Sequence, residues 1–187
     1  MPPRPKVTKF AVAAAALDLV RAEGAGALNA RRLAKAIGCS TQPIFSNYAS
    51  MDELRTAVVD AANSIYEGCL ARESERDDVP PYKRAGLGFV RFAVEEPELF
   101  KLLYMRDRRG EPRGDERETL RPMIELIRAQ TGVGEDEAYR FHLEMWVFVH
   151  GVATMIATGF LEWDEETVGK MMTDVYNGLV ARFGGNK

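Results

Sequence analysis

Asn29-Ala-Arg-Arg-Leu-Ala-Lys-Ala-Ile-Gly-Cys-Ser-Thr-Gln-Pro-Ile-Phe-Ser-Asn-Tyr48 is the stretch that decides the fold. Apolar residues recur at helical spacing on both sides of one glycine, with Leu33, Ala34 and Ile37 before it and Ile44 and Tyr48 after it. Gly38 permits a tight turn between two short helices. Asn29 is placed to cap the first and Ser40 the second, and Pro43 falls in a first turn, where it loses no intrahelical hydrogen bond. Two such helices sharing one core make a helix-turn-helix, with Thr41, Gln42, Ser46 and Asn47 left outward. Short polar side chains at the start of a helix reach base edges and phosphates, and Gln and Asn pair bidentately with adenine.

The same signals extend in both directions. Thr8 caps a first helix to about residue 23, with Phe10, Ala14, Leu17 and Val20 or Arg21 as its apolar repeat and Gly24 and Gly26 as its stop. Ser50 with Glu53 has the spacing of a capping box and opens a fourth helix to about residue 72. The polar stretch 73–78 before Pro80 and Pro81 reads as a linker. A fifth helix runs to about residue 94, Pro97 starts a sixth, and 107–114 reads as a mobile loop. Helices over about 115–131, 135–160 and 165–183 follow, and no alternating run long enough for a strand occurs. The expectation is an all-α chain of about nine helices, divided into a three-helix DNA-binding head (1–50) and a helical body (51–187).

Charge follows this division. Residues 1–55 carry a net of +4 and the remainder a net of −7, within an overall −3. A basic head on an acidic body suits a protein of which one end meets phosphate. Cys39 and Cys69 lack metal-ligand spacing and read as ordinary residues of a reducing compartment. The apolar run after Arg4, Lys6 and Lys9 imitates a signal peptide, but Asp18 ends it, and no later stretch is apolar enough to span a membrane. A cytoplasmic protein with no membrane partner is expected.

From Thr8 to about Leu54 the chain resembles the TetR/AcrR family, through Leu33-Ala34, Gly38-Cys39-Ser40, Ile44-Phe45, Asn47-Tyr48 and Glu53-Leu54. The resemblance implies an all-helical homodimer that binds double-stranded DNA with its second and third helices and holds a small-molecule effector in the rest. It puts Arg31 where the family often places a base or phosphate contact, and Thr41, Gln42, Pro43, Phe45, Ser46 and Asn47 on the recognition helix. Ser40 and Tyr48, at its two ends, complete the expected contact surface. Phe45 stands where a phosphate-binding Tyr is usual, and Met51 where a Lys is usual, so both lack a phosphate donor. Lys6, Thr8, Lys9, Arg32 and Lys35 are the compensating candidates.

In the body, 92–105 and Trp146-Val-Phe-Val-His-Gly-Val-Ala153 resemble a subgroup with a Trp-x-x-x-His-Gly motif. That resemblance puts Phe89, Phe92, Phe100, Tyr104, Met105, Met123, Ile127, Trp146 and His150 around an effector site. Trp146 and His150, one turn apart, are its expected polar handles. Two long apolar stripes, Phe141 to Ile156 and Val168 to Phe183, suit a four-helix dimer interface. Catalysis has no visible machinery. There are only two histidines, His142 and His150, no glycine-rich phosphate loop and no nucleophile with a base, so neither an enzyme nor a metal or other cofactor is expected. The rival readings are a small helical enzyme and a helical protein-binding adaptor. The expected function is ligand-responsive regulation of transcription, as a repressor released from a palindromic operator.

Overall fold

The structure is a computed structural model and describes residues 7–107, 109, 114–162 and 164–184. Lys6 and most of the expected loop at 107–114 lie outside the described residues. The described residues form nine α-helices and no strand, in agreement with the all-α expectation. They are α1 (Lys9–Glu23), α2 (Ala30–Ile37), α3 (Gln42–Asn47), α4 (Met51–Ser74), α5 (Pro81–Glu95), α6 (Pro97–Tyr104), α7 (Glu116–Thr131), α8 (Glu135–Ala157) and α9 (Glu165–Phe183). Two compact units result, one from 1–67 with 96–106, the other from 68–95 with 107–187. Helix α4 contributes to both.

The first unit is set by its caps. Thr8 Oγ1 accepts from the Ala11 N–H at 3.1 Å and Asn29 Oδ1 from the Arg32 N–H at 3.0 Å. Gly38 adopts a left-handed φ of 75°, which lets the Cys39 N–H return to the Ala34 carbonyl at 2.9 Å and closes α2. Ser50 Oγ accepts from the Glu53 N–H at 3.1 Å, while Glu53 reaches back one residue further than the usual box, to the Ala49 N–H at 2.7 Å. Val12, Ala16, Leu33, Ile44, Leu54 and Leu99 fill the core.

Two local expectations change. Ser40 does not cap α3. Thr41 already has helical dihedrals and takes the Ile44 and Phe45 N–H groups on its carbonyl, so the helix is entered through a backbone turn without a side-chain cap. The buried face of α1 is Val12, Ala16, Leu19 and Val20, whereas Phe10 is 83% exposed. Alanines on every side of α1 left the apolar period ambiguous there, and packing chose the other phase.

In the second unit α8 packs against α5, α7 and α9. The expected stripes are buried where they face these partners, through Phe141, Met145, Val149 and Val152 on α8 and Val168, Met172, Leu179 and Phe183 on α9. Asp115 caps α7 and Asp164 caps α9. Helix α8 stops at Ala157, short of the expected 160, with Gly159 at φ 68°.

The stretch 73–78 is not a free linker. Glu73 is fully buried at the end of α4 and pairs with Arg91 at 2.5 Å and Arg76 at 3.2 Å. Arg76 also holds Asp78 at 2.9 Å and Glu165 at 2.6 Å, and Arg91 holds Glu165 at 2.7 Å. A buried carboxylate is tolerated only when paired, so these arginines fix the end of α4 to α5 and the start of α9.

Candidate nucleic-acid interface and ligand cavity

On the first unit, Thr8, Arg31, Ser40, Gln42, Phe45 and Ser46 are exposed, and Thr41 and Pro43 are half-buried. Phe45 keeps 49% of its surface in solvent. The Ser46 hydroxyl donates to the Gln42 carbonyl at 2.9 Å and retains acceptor capacity. Met51 is half-buried at the first position of α4. Lys9 is paired with Glu53 at 2.8 Å and Arg32 with Glu23, while Lys35 is exposed. The Lys9 ammonium, with the Ala49 N–H, holds the Glu53 carboxyl below the usual carboxylate range.

Two members of the expected contact set turn inward, Tyr48 in keeping with its reading as part of the shared helical core. The Asn47 amide donates to the Val7 carbonyl at 3.1 Å and the Pro43 carbonyl at 2.8 Å, so both its donor positions are used. Bidentate adenine pairing needs a donor as well as an acceptor, and Asn47 keeps only its oxygen. Tyr48 is buried, its hydroxyl donates to the Lys9 carbonyl at 3.2 Å, and the Lys9 ammonium lies 4.7 Å from its ring centre. Both side chains tie α3 to the start of α1. The back-bond from Asn47 to the carbonyl four residues earlier is a known habit of Asn in helices and was the available signal.

Of the expected effector residues, Phe100, Tyr104 and Met105 belong to the first unit and the others to the second. Phe89, Phe92, Phe100 and Ile127 are closed off from solvent, Met123 and Tyr104 are half-buried, and Met105 is exposed. Phe89, Trp146 and His150 form one aromatic cluster, with ring centres 4.9 Å apart for Phe89 and Trp146 and 5.4 Å for Trp146 and His150. Burial holds the His150 imidazole below its ordinary range.

Two hollows of the second unit lie elsewhere. One is a cavity of about 440 Å³ whose wall includes Tyr82, Lys83, Met145, Met172, Thr173 and Tyr176. Pro80, Gln130 and Asn177 complete it, so the wall carries one cation and no carboxylate. The other, about 630 Å³, is lined by Arg76, Asp78, Glu165, Glu166, Lys170 and Asp174 among others, and shares Lys83 and Thr173 with the first. None of the eight residues Phe89, Phe92, Phe100, Tyr104, Met123, Ile127, Trp146 and His150 lines either hollow. The sequence held no sign of the 440 Å³ cavity, because its wall draws on four helices and on residues that each fit a plain core or surface pattern.

Behind that wall the Tyr82 hydroxyl and His142 Nδ1 stand 3.0 Å apart, both buried. Burial pushes the Tyr82 phenol up and the His142 imidazole down, the latter against a weaker opposing pull from Glu116. The phenol therefore keeps its proton and the imidazole stays neutral, and the two share one hydrogen bond whose direction is set by the His142 tautomer.

The remaining feature is an apolar surface on the last two helices. Val147, Gly151 and Met155 follow one another at four-residue spacing on α8, Val147 with 70% of its surface exposed and Gly151 facing open space. On α9, Met171 and Val175 are half-buried and Gly178 also faces open space.

The family model described as "Tetracyclin repressor-like, C-terminal domain" matches residues 82–176, just over half of the chain and most of the second unit. The chain belongs to the TetR family. It is a TetR family transcriptional regulator, and both DNA binding and ligand binding are consistent with that membership. The structure is similar to that of a TetR-like transcriptional regulator from Rhodococcus sp. RHA1, with a TM-score of 0.66 at 19% identity over 99% of this chain and 100% of the other. It is also similar to a TetR family member from Streptomyces coelicolor A3, with a TM-score of 0.58 at 17% identity over 88% of this chain and 95% of the other. At these identities the likeness is one of fold. No curated protein matches the sequence. Among the described residues no helix is long and apolar enough to cross a membrane, and no three His, Cys, Asp or Glu side chains gather as a metal site.

Proposed function

We propose that this TetR family protein is a cytoplasmic repressor that sits on a palindromic operator as a homodimer and is released by a small apolar or amphipathic effector. The observation that carries the reading is the row of Arg31, Gln42, Phe45 and Ser46, exposed on a helix-turn-helix whose ends are fixed by caps and a glycine turn. A helix-turn-helix that exposes such side chains has the form that enters a major groove. In this reading residues 1–50 contact DNA and 51–187 bind effector and dimerise. The Val147, Gly151 and Met155 row with Met171, Val175 and Gly178 is the dimer surface, where the two glycines admit close approach of a second copy. A stable interface of this kind buries on the order of 2,000 Å² or more.

Effector binding acts by linkage. A tenfold loss of DNA affinity needs ~1.4 kcal/mol of differential binding between the DNA-competent and incompetent forms. Trp146 and His150 are the polar edge of the aromatic cluster, and Trp146→Ala or His150→Ala is expected to weaken the response while sparing DNA affinity in its absence.

The deciding experiment is selection of random duplexes by the purified protein, followed by sequencing, with light scattering on the same preparation. Two inverted half-sites are expected from a particle of twice the chain mass, and Gly178→Arg is expected to yield monomers with weakened binding. Selected duplexes without a shared motif would sink the reading.

A further inference from the structure

We infer that the cavity of about 440 Å³ between α5, α7, α8 and α9 binds a carboxylic acid with an apolar body, the carboxylate on Lys83 and the body against Tyr82, Met145, Met172 and Tyr176. Its regulatory consequence rests on the ligand-responsive reading above, but its binding chemistry stands on the wall itself.

Size comes first. The volume lies within the range of ~300 to 1,000 Å³ usual for small-molecule sites. Two methionines and two aromatic rings supply an apolar, adaptable surface for a flat or chain-like body. The Tyr82 hydroxyl is taken by His142 and that of Tyr176 by Gln130, which accepts at 3.2 Å, so both tyrosines offer ring rather than hydroxyl to an occupant.

Charge then selects the head group. In this part of the second unit the other cations have carboxylate partners: Arg76 and Arg91 hold Glu73 and Glu165, Arg84 stands 3.8 Å from Asp77, and Lys170 holds Glu166 at 2.5 Å. Lys83 differs. Its ammonium donates to Thr173 Oγ1 at 2.8 Å, and among the described residues no carboxylate comes within ion-pair distance of it. Thr173 in turn donates to the Gly169 carbonyl at 2.9 Å, which orients its oxygen toward Lys83. The ammonium is thus held in place on the cavity wall with two N–H groups still to give. An ammonium with no ion-pair partner and N–H groups to spare favours an arriving anion, and its single charge is balanced by that of one carboxylate. The wall of this cavity holds no carboxylate, and in the adjoining hollow that shares Lys83 the carboxylates of Asp78, Glu165 and Glu166 are already paired with Arg76, Arg91 and Lys170.

The test is calorimetry on the full chain with four probes: 2-naphthoate, decanoate, naphthalen-2-ylmethanol as the neutral match and naphthalen-2-ylmethylammonium as the cationic one. At least one acid is expected to bind once per chain, at least tenfold tighter than the alcohol, with the ammonium weakest. Lys83→Met is expected to bring acid and alcohol to equal affinity without weakening the alcohol, and Met145→Trp, which fills the cavity, to weaken both. Lys83→Gln serves the same purpose should the Met variant fail to fold. The inference is overturned if neither acid binds at millimolar concentration, if acid and alcohol bind alike, or if the Lys83 variants keep the preference. Operator binding is measured with and without acid in parallel. An acid that binds through Lys83 yet leaves the operator complex intact supports the site and defeats the regulatory reading. Release of the operator by the alcohol alone does the reverse.

Discussion

Glu53 and Glu73 stand on the same helix, one in each unit, and α4 uses their carboxylates in opposite ways. Glu53 is partly exposed and finishes the start of α4 by a local bond from the Ala49 N–H, while its pair with Lys9, forty-four positions away, is solvated. Glu73 is fully buried between Arg91 and Arg76 and finishes the other end by tertiary pairing, through arginines that also hold Glu165, more than seventy positions away. The difference characterises the units. The first takes its helix ends from caps and turns whose partners lie within five residues and adds the ties of Asn47 and Tyr48 to Val7 and Lys9, which leaves Gln42, Phe45 and Ser46 exposed for contact. The second is set by buried rings and buried ions, with a cavity among them.

Removing Glu73 should therefore give the largest effect. Glu73→Ala takes from Arg76 and Arg91 the buried one of the two carboxylates that they share. Breaking a buried pair costs several kcal/mol, and because both arginines retain some access to water the loss in urea unfolding should be about 3 kcal/mol. Glu53→Ala should cost distinctly less, since its partners are solvated. Equal losses from the two would erase the contrast between the ends of α4.

The same contrast explains what could be foreseen from sequence. Thr8, Asn29, Gly38 and Ser50 act on backbone groups within a few residues, so the helices they bound were legible, and with them the helix-turn-helix. The phase of α1 was not, because its alanines give no strong period. Nor was the burial of Glu73. Its hydrophilic neighbours made 73–78 read as a linker, and only the distant Arg91 and Glu165 turn that segment into an ionic lock. For the candidate sites the outcome is mixed. Gln42 and Ser46 are exposed as expected and Thr41 only in part, whereas the inward turn of Asn47 depends on Val7, forty positions earlier. The 440 Å³ cavity depends on the packing of four helices, which no single helix reveals.

Asn47 and Gln42 separate position from reading within α3. Asn47→Ala removes the bond that ties α3 to Val7 and the one to Pro43 within the helix, and should cost about 1 kcal/mol or more of stability, weakening operator and scrambled duplex alike. Gln42→Ala should leave stability unchanged and erode discrimination between the two duplexes by about 1 to 3 kcal/mol. Binding titrations on both duplexes with each variant decide the matter. If Asn47→Ala were the variant that loses discrimination, the inward amide would be a reader after all.

A third, smaller effect concerns the Tyr82 and His142 pair. Tyr82→Phe leaves His142 Nδ1 buried without its hydrogen-bond partner, at a cost of about 1 kcal/mol or somewhat more. The pair also predicts a pH dependence. Folding lowers the His142 pKa from an ordinary value near 6.5, so the unfolded chain takes up a proton that the folded chain refuses. Stability should fall as pH drops below about 6.5 and continue to fall until the folded imidazole itself is protonated. The loss from pH 7.5 to 5 should be smaller in His142→Gln, as thermal unfolding would read directly. An unchanged slope in that variant would remove His142 as the cause.

The smallest expected change is in the salt dependence of DNA binding, and it tests whether the first unit's polar face meets the backbone where the family resemblance places it. Met51 starts α4 and brings no charge, and Phe45 has no hydroxyl. Each neutralised phosphate contributes close to one unit to the slope of log affinity against log salt, whereas a hydroxyl contributes a hydrogen bond and releases no counter-ion. Met51→Lys should therefore steepen the slope by about one unit and tighten operator and scrambled duplex alike, while Phe45→Tyr should tighten binding without changing the slope. Lys9 is the internal control. It is already engaged with Glu53 at 2.8 Å, so Glu53→Gln should free its charge and steepen the slope only if α1 also begins against phosphate. A slope unmoved by Met51→Lys, on a variant that still selects the operator, would mean that the start of α4 stands away from the DNA and that α3 holds the groove without it.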